Sequence, residues 1–162
     1  VPQLGTFVTL ISEDGVADAA FVREALVCAA ARLAAARARP DALADLQANL
    51  AAQHRARDAE DFETFDRLDD ELHHRLAELS GHEIAWVLAR RANGHLDRVR
   101  RLSLPEPGYL AQMVAEHTDL VAAVAAGDPD AAEARMRHHL RMVLGWLPAL
   151  RVAHPEYFDA GD

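Results

Sequence analysis

The sequence predicts an all-α protein, an antiparallel bundle of about six helices, and two features indicate this class. Glycine and proline are scarce, at 8 and 7 of 162 residues, while hydrophobic residues make up 51% and aromatic residues 6% of the chain. That composition favours helices over sheets. Apolar residues also recur at alternating spacings of three and four, the period of an amphipathic helix. A chain of this length can bury a substantial core in one domain.

The first fifteen residues differ from the rest. The run Gly5-Thr-Phe-Val-Thr-Leu-Ile11 is rich in residues that favour strands, and the turn-like Ser12-Glu-Asp-Gly15 follows it. We therefore expect residues 1–15 to lead into a helical domain at residues 16–150, with a polar C-terminal tail at 151–162.

Prolines and glycines mark the ends of the expected helices. Pro40 separates the first helix from the second, Gly81 stops the third, and the proline-rich break at 104–108 ends the fourth. Pro129, directly after an aspartate N-cap, opens the last helix, and Pro148 is expected to end it. The expected helices span residues 17–39, 40–58, 60–79, 82–102, from the break to 126, and 129–147.

Charge and cysteine content restrict the partners and the compartment. The formal net charge is −9, and the only local excess of arginine, at positions 90, 91, 98, 100 and 101, is spread around one helix. Nucleic-acid binding needs a concentrated basic patch, so we expect none from this chain alone. Cys28 is the single cysteine, which fits a reducing cytoplasm and a buried thiol. The sequence has neither a signal peptide nor an apolar run of roughly 18 residues, so we expect no membrane partner.

Three histidines and an aspartate lie on helix faces that are otherwise apolar. Asp69 and His73 share one stripe, and His117 and His139 each lie on another. The apolar neighbours at spacings of three and four include Phe65, Leu68, Leu72 and Leu76 for the first pair, Met113, Val114, Leu120 and Val121 for His117, and Ala132, Met136, Val143 and Leu147 for His139. Burying three imidazoles and a carboxylate is costly without a partner, and a metal ion is the simplest partner.

The spacing of these donors supports a single site. Asp69 and His73 are four residues apart, so they can chelate one ion from one helix face. His117 lies ten residues before Gly127 and His139 lies ten after Pro129, which places both at the same depth on antiparallel helices. One oxygen and three imidazoles suit zinc best, with nickel, manganese, iron or cobalt as alternatives to it. The sequence therefore predicts one divalent transition metal in a central cavity.

Neighbouring residues offer alternatives. His74 and His138 lie about 100° around their helices from the proposed ligands, where they face solvent or flank the pocket. Glu71-x-x-His74 could be half of a di-iron signature, but no second copy occurs. Glu116, beside His117, is expected on a solvated face. Phosphate loops, nucleophile elbows and Cys-x-x-Cys motifs are lacking.

The order of these residues resembles a known family. The stretches that carry the resemblance are Asp69-Asp-Glu-Leu-His73, Leu76-Ala-Glu-Leu-Ser-Gly81, Glu116-His117, Ala125-Ala-Gly-Asp128 and Met136-Arg-His-His139-Leu140. They are similar to the FCD domain, the ligand-sensing C-terminal domain of the FadR-like branch of GntR transcriptional regulators. The resemblance runs from about residue 17 to 147 and implies that Asp69, His73, His117 and His139 are metal ligands.

The resemblance also bears on the ends of the domain and on its subgroup. Gly5-Thr-Phe-Val8 resembles the end of a winged helix-turn-helix wing, so residues 1–15 are expected to be a remnant of that wing and its linker. Six helices rather than seven resemble the shorter, VanR-like group. Two positions depart from the family: His82 stands where asparagine is usual, and Val27 stands where an acid is expected four residues after Arg23.

The resulting hypothesis is a sensor domain of a transcriptional regulator and not an enzyme. A small organic acid would bind the metal in a cavity walled by Phe62, Leu72, Met113 and Val121. The candidate residues for binding the acid are Arg23, His95, Arg98 and Arg101. The resemblance implies a homodimer that contacts DNA only through the absent winged-helix domain.

Two other hypotheses remain at this point. A metal-dependent hydrolase or oxygenase could use the same four donors, although no general base is evident on the pocket face. A structural metal, or none, would instead predict a filled core without a cavity.

Overall fold

The computed structural model describes residues 9–160, and this part of the chain is all-α. Its elements are α1 (Glu13–Ala36), α2 (Pro40–Asp58), α3 (Phe62–Ser80), α4 (Glu83–Ala92), α5 (Gly94–Ser103), α6 (Tyr109–Ala125), α7 (Pro129–Ala153) and a 3-10 turn at Pro155–Tyr157. The expected fold class is confirmed. Between residues 9 and 160, no helix combines the length and the apolar character needed to cross a membrane.

The first helix begins earlier than its sequence suggests. The side chain of Ser12 caps α1 by accepting a hydrogen bond from the backbone N–H of Gly15 at 3.3 Å. The stretch predicted as a turn is therefore an N-cap and the first helical turn, and α1 starts at Glu13 rather than residue 17. The expected wing remnant at 5–8 lies outside the described residues.

The region expected to be the fourth helix is two helices, so the described chain has seven α-helices rather than six. The break falls at Asn93 and Gly94, two residues with poor helix propensity. The helix count consequently does not support the resemblance to the shorter group. The last helix was also expected to end before Pro148, but α7 continues to Ala153, where buried Leu150 anchors its final turns in the core.

Helix α1 lies at the centre of the bundle and packs against α3, α4, α5, α6 and α7. Its buried face is built from small residues, which let the neighbouring helices approach closely: Cys28, Ala30, Ala31, Ala34 and Ala35. The thiol of Cys28 is buried as expected, and burial raises its pKa to about 12. This arrangement leaves α3, α6 and α7 facing one another around the polar centre described below.

The two ends of the described chain meet beside α5. The N–H of Ile11 donates to the carbonyl of Tyr157 at 2.8 Å, and the N–H of Asp159 donates to the carbonyl of Ile11 at 3.0 Å. Ile11 and Phe158 are both buried in one cluster with Leu96 and Val99 of α5. The segment before α1 is therefore fixed to the C-terminal segment and to α5.

Candidate metal centre

Four donor atoms from three helices meet inside the bundle. Nε2 of His139, on α7, lies 3.3 Å from Nε2 of His73 on α3 and 3.2 Å from Nε2 of His117 on α6. Oδ1 of Asp69 lies 3.2 Å from the His117 nitrogen, 3.6 Å from that of His73 and 4.0 Å from that of His139. All four side chains are buried. The structure thus brings together the four residues that the sequence singled out.

A chain of hydrogen bonds fixes the tautomer of His117. The carbonyl of Leu68 can only accept, so Asn49 presents its NH₂ group there, at 3.1 Å, and its oxygen to Gln53. Gln53 donates to that oxygen at 2.7 Å and therefore turns its own oxygen to Nδ1 of His117, at 2.6 Å. Nδ1 must be the donor, because an amide oxygen cannot donate. When a ring in this orientation is neutral, its Nε2 is unprotonated and faces the other donors.

A carboxylate fixes the tautomer of His139 in the same way. Nδ1 of His139 donates to Oε2 of Glu116 at 3.0 Å, and Gln112 donates to the other oxygen of Glu116 at 3.0 Å. Burial and the neighbouring His117 lower the pKa of His139 to about 4, so the ring is neutral at pH 7. Its Nε2 is then a lone pair that faces the lone pair of His117.

These lone pairs converge with Nε2 of His73, a ring whose Nδ1 has no hydrogen-bond partner among the described residues. Oδ1 of Asp69 is buried without a hydrogen-bond partner among the described residues. A buried acceptor facing other acceptors costs free energy, and a cation at their common centre removes that cost. Around an ion bonded at ~2.0–2.1 Å, tetrahedral ligand atoms lie about 3.4 Å apart. The observed separations of 3.2, 3.3 and 3.6 Å are close to this value, and the separation between Asp69 and His139 is longer, at 4.0 Å. The donor set therefore fits one divalent transition metal.

The electrostatics of the centre keep its donors in the forms that a metal requires. Burial holds the pKa of His73 well below its usual value, so this imidazole is also neutral. Burial alone would raise the pKa of Asp69, but Arg100, His73 and His117 together more than offset this and leave the pKa well below the usual range. Neutral imidazoles and an ionised carboxylate need no deprotonation before binding a metal.

Arg100 anchors the aspartate from behind. Its side chain, on α5, is buried and donates to Oδ2 of Asp69, which leaves Oδ1 for the centre. It also contacts Asp66 and Asp70 of α3, both at 3.4 Å, and Asp97 of its own helix at 3.1 Å. These carboxylates outweigh the effect of burial and raise the pKa of Arg100.

Arg23 is a second buried guanidinium close to the centre. It is 3% exposed, and its Nε has no hydrogen-bond partner among the described residues. Burial, followed by repulsion from Arg100, lowers the pKa of Arg23 to about 10, which leaves it charged at pH 7. Arg23 and Arg100 line a cavity of about 10 Å³ together with Tyr109, Met113, His139 and Val143. That space holds about one water molecule.

The other residues expected to bind the acid lie away from the four donors. His95 packs against the start of α1, where its Nδ1 accepts from the N–H of Ser12 at 3.2 Å. Arg98 donates to the carbonyl of Thr9, and Arg101 is exposed and 3.4 Å from Asp66. Of the expected cavity walls, Met113 lines the small cavity, whereas Phe62, Leu72 and Val121 are not among its lining residues.

Three residues that hold the donors in place were not among the candidates from sequence: Gln53, Glu116 and Arg100. The expectation that Glu116 faces solvent is wrong, because α7 covers it and His139 uses it as an acceptor. A signal existed for Gln53, since it follows Asn49 by four residues on the buried face of α2. His74 and His138 do point away from the centre, toward Glu83 and Glu116.

Comparison with known proteins identifies the domain. The FCD domain matches residues 18–142. An HTH-type transcriptional regulator in an unstable DNA locus of Streptomyces ambofaciens is 40% identical over 157 residues, which are 97% of this chain and 66% of that protein. The HTH-type transcriptional repressor RspR of Escherichia coli K12 is 29% identical over 158 residues, 98% of this chain and 69% of that protein. The chain thus spans about two thirds of these relatives.

A solved structure shows the same fold. E. coli McbR/YncC superposes with a TM-score of 0.81 at 17% sequence identity, covering 92% of this chain and 71% of that one. At that identity the likeness concerns the fold, while the sequence match identifies the family. The chain therefore belongs to the FCD family, the regulatory ligand-binding domains of GntR-type transcriptional regulators, and is not a catalytic domain.

Proposed function

We propose that this domain binds one divalent transition metal, zinc by preference, through Asp69, His73, His117 and His139, and senses a small carboxylate beside it. The observation that carries the proposal is the convergence of two tautomer-fixed imidazole lone pairs and an unpaired carboxylate oxygen on one buried point. Three nitrogen donors and one oxygen favour zinc over calcium or magnesium. The metal would supply a cationic, Lewis-acidic point, and an anion could bind there as a fifth ligand beside the four protein donors.

Arg23 supports an anionic effector. A buried guanidinium with an unused N–H is costly to maintain, and a carboxylate would supply both the missing acceptor and the opposite charge. Arg23 lines the same small cavity as His139. A carboxylate held between the metal and Arg23 would therefore use two cationic groups at once.

The described cavity is too small for an organic acid, so binding must move part of its wall. About 10 Å³ accommodates a water molecule, whereas ligand sites for small molecules usually measure several hundred cubic ångströms. Met113 and Tyr109 form the apolar side of the cavity. We propose that the effector displaces these side chains and thereby couples its binding to a change in helix packing.

The remaining assignments concern the whole regulator. We propose that residues 1–15 contain the end of a winged-helix wing and the linker, that residues 16–150 form the effector domain, and that residues 151–162 form a C-terminal tail. DNA contact belongs to a winged-helix domain preceding this one, and the regulator acts as a homodimer. The printed names of the relatives support DNA-linked regulation.

Metal content and carboxylate binding test the proposal together. Purified protein dialysed against zinc should retain about one ion per chain, and small mono- and dicarboxylates should then be screened by thermal shift. An acid that binds should stabilise the folded domain by about 2.7 kcal/mol at a hundredfold excess over its dissociation constant. The stabilisation should vanish after chelation.

Arg23→Met provides the critical variant and Arg101→Met its matched control, because Arg101 is exposed and contacts Asp66 rather than a donor. Zinc binding should survive in both variants, while the response to carboxylates should vanish only in Arg23→Met. Carboxylate responses that persist in metal-free protein, or in Arg23→Met, would contradict the proposed anion site. A protein that retains no zinc would contradict the metal centre itself.

A further inference from the structure

Helix α5 contacts the metal centre through one of its faces. Arg100 donates to Oδ2 of Asp69 and lies within 3.4 Å of Asp66 and Asp70, so one buried side chain ties α5 to three carboxylates of α3. Asp69 is itself one of the four converging donors. Any change in the charge of that carboxylate therefore acts directly on α5.

The same helix holds the segment that precedes α1, residues 9–12, which we call the leading segment. Arg98 donates to the carbonyl of Thr9, and Nδ1 of His95 accepts from the N–H of Ser12 at 3.2 Å. The His95 ring lies so close to Gly15 that a Cβ there would come within 2.6 Å of it. Leu96 and Val99 pack against Ile11. The leading segment is thus fixed to α5 by both polar and apolar contacts.

The junction between α4 and α5 has the properties of a hinge. The side chain of Asn93 is fully buried, yet neither its nitrogen nor its oxygen has a hydrogen-bond partner among the described residues. Gly94 follows at the first position of α5, and its α-carbon faces open space. A buried amide without a hydrogen-bond partner raises the free energy of this arrangement. A second arrangement in which the Asn93 amide forms hydrogen bonds would gain that free energy, which offsets the packing contacts it loses.

We propose that α5 transmits occupancy of the metal centre to the leading segment, through Arg100 on one face of the helix and Arg98 with His95 on the opposite side. The inference rests on the proposed metal binding. A cation at Oδ1 withdraws negative charge from Asp69, which weakens the hold of Arg100 on α3. An anion entering the cavity lined by Arg23 and Arg100 competes for Arg100 as well. Both events favour the state in which α5 is released from α3. A bound ligand shifts the equilibrium toward this state because it binds this state more tightly than the other one.

Backbone amides report the state of the leading segment directly. The N–H groups of Ile11, Ser12 and Asp159 are bonded to Tyr157, His95 and Ile11, respectively, so their hydrogen exchange measures opening of this region. Zinc alone is the probe. One bound zinc should accelerate exchange at these amides by at least about fivefold, the lower end of typical coupling between sites. Amides in the middle of α3 and α7 should slow, because metal binding stabilises the core.

Variants on the two sides of α5 test the route. Arg98→Ala removes only a surface contact to Thr9, and Arg100→Met cuts the tie to Asp69; in both, the zinc-dependent acceleration should fall below about twofold at full zinc occupancy. Arg101→Ala is the control on the same helix and should respond like the original protein. Zinc binding without acceleration at the three amides, or acceleration that survives in Arg98→Ala, would overturn the α5 route and leave the metal centre standing. Failure to bind zinc would overturn both.

Discussion

Besides Arg23, two places among the described residues bury polar groups without hydrogen-bond partners, and they differ in what surrounds those groups. At the metal centre, the orphaned oxygen of Asp69 faces three imidazole nitrogens, and Gln53 and Glu116 hold two of these rings in place. At the junction of α4 and α5, the orphaned amide of Asn93 has no converging donors. The convergence supports the proposed metal site in the first case, and its lack supports the proposed hinge in the second.

The largest expected effect is a loss of zinc affinity, and it distinguishes the proposed ligand histidines from the histidines next to them in the sequence. His73→Ala and His139→Ala should each weaken zinc binding by more than about a hundredfold, which exceeds the usual effect of a residue that only orients a ligand. His74→Ala and His138→Ala change the adjacent residues, whose rings point away from the centre, and should leave the affinity within a few-fold. Competition against a chelator measures all four. Equal losses across the four variants would refute the ligand assignment.

A smaller effect is expected where a residue only orients a ligand. Glu116→Ala removes the acceptor that fixes the tautomer of His139 and should weaken zinc binding by about 10- to 100-fold. Glu116→Gln keeps an acceptor oxygen at that place and should recover part of the loss. A visible spectrum of the cobalt-substituted protein should stay that of a four-donor site in both variants. Zinc affinity that is unchanged in Glu116→Ala would show that His139 needs no orienting partner.

Acid should destabilise the metal-free protein at this centre. The pKa of His139 is about 4 in the folded state and about 6.5 in the unfolded chain, so the unfolded state binds more protons between these values. Stability is therefore fully present above pH 6.5 and is lost as the pH falls toward 4, by about 1.4 kcal/mol per pH unit for this histidine. His73, whose pKa is also lowered, adds to the slope.

Urea unfolding at several pH values, monitored by tryptophan fluorescence, measures this slope. His139→Ala should flatten it, whereas His138→Ala, which changes an exposed ring, should not. An unchanged slope in His139→Ala would mean that this histidine is not buried in its neutral form.

The smallest effect concerns the hinge. Asn93→Leu removes a buried amide that has no partner, so the free energy of unfolding should rise by about 1 kcal/mol. Asn49 is the matched control: it is also buried but is bonded to Leu68 and Gln53, and Asn49→Leu should lower stability. Urea titration of both variants decides the matter. Equal losses would show that the amide of Asn93 finds a partner in solution.

The contrast between the two places also explains what the sequence could and could not reveal. Asp69 and His73 stood out because long helices have a regular period, so a polar residue on an apolar stripe is visible without coordinates. The break at Asn93 interrupts one apolar pattern with only two residues, and a single helix was expected there. At Pro148 the sequence predicted a helix end that does not occur. The burial of Leu150 outweighs the local free-energy cost of proline in α7.

Long-range pairings stayed beyond the reach of the sequence. Arg100 looked like one of five arginines spread around a helix, and its role depends on how α5 lies against α3. Glu116 looked solvated because only the position of α7 buries it. Arg23 was a candidate from the family resemblance, whereas its burial without a partner for Nε became visible only in three dimensions. The periodicity of single helices predicts the donors, and tertiary packing determines what holds them.

X-ray absorption at the zinc edge of the loaded protein tests the central claim most directly. The expected result is one zinc per chain with three imidazoles and a carboxylate oxygen at ~2.0–2.1 Å. Three imidazoles give a strong multiple-scattering signal, which distinguishes this centre from the other described group of possible ligands, the surface cluster His74, Glu78 and Glu83 with its single imidazole. A zinc environment dominated by oxygen with at most one imidazole would contradict the claim that the buried donors form the metal site.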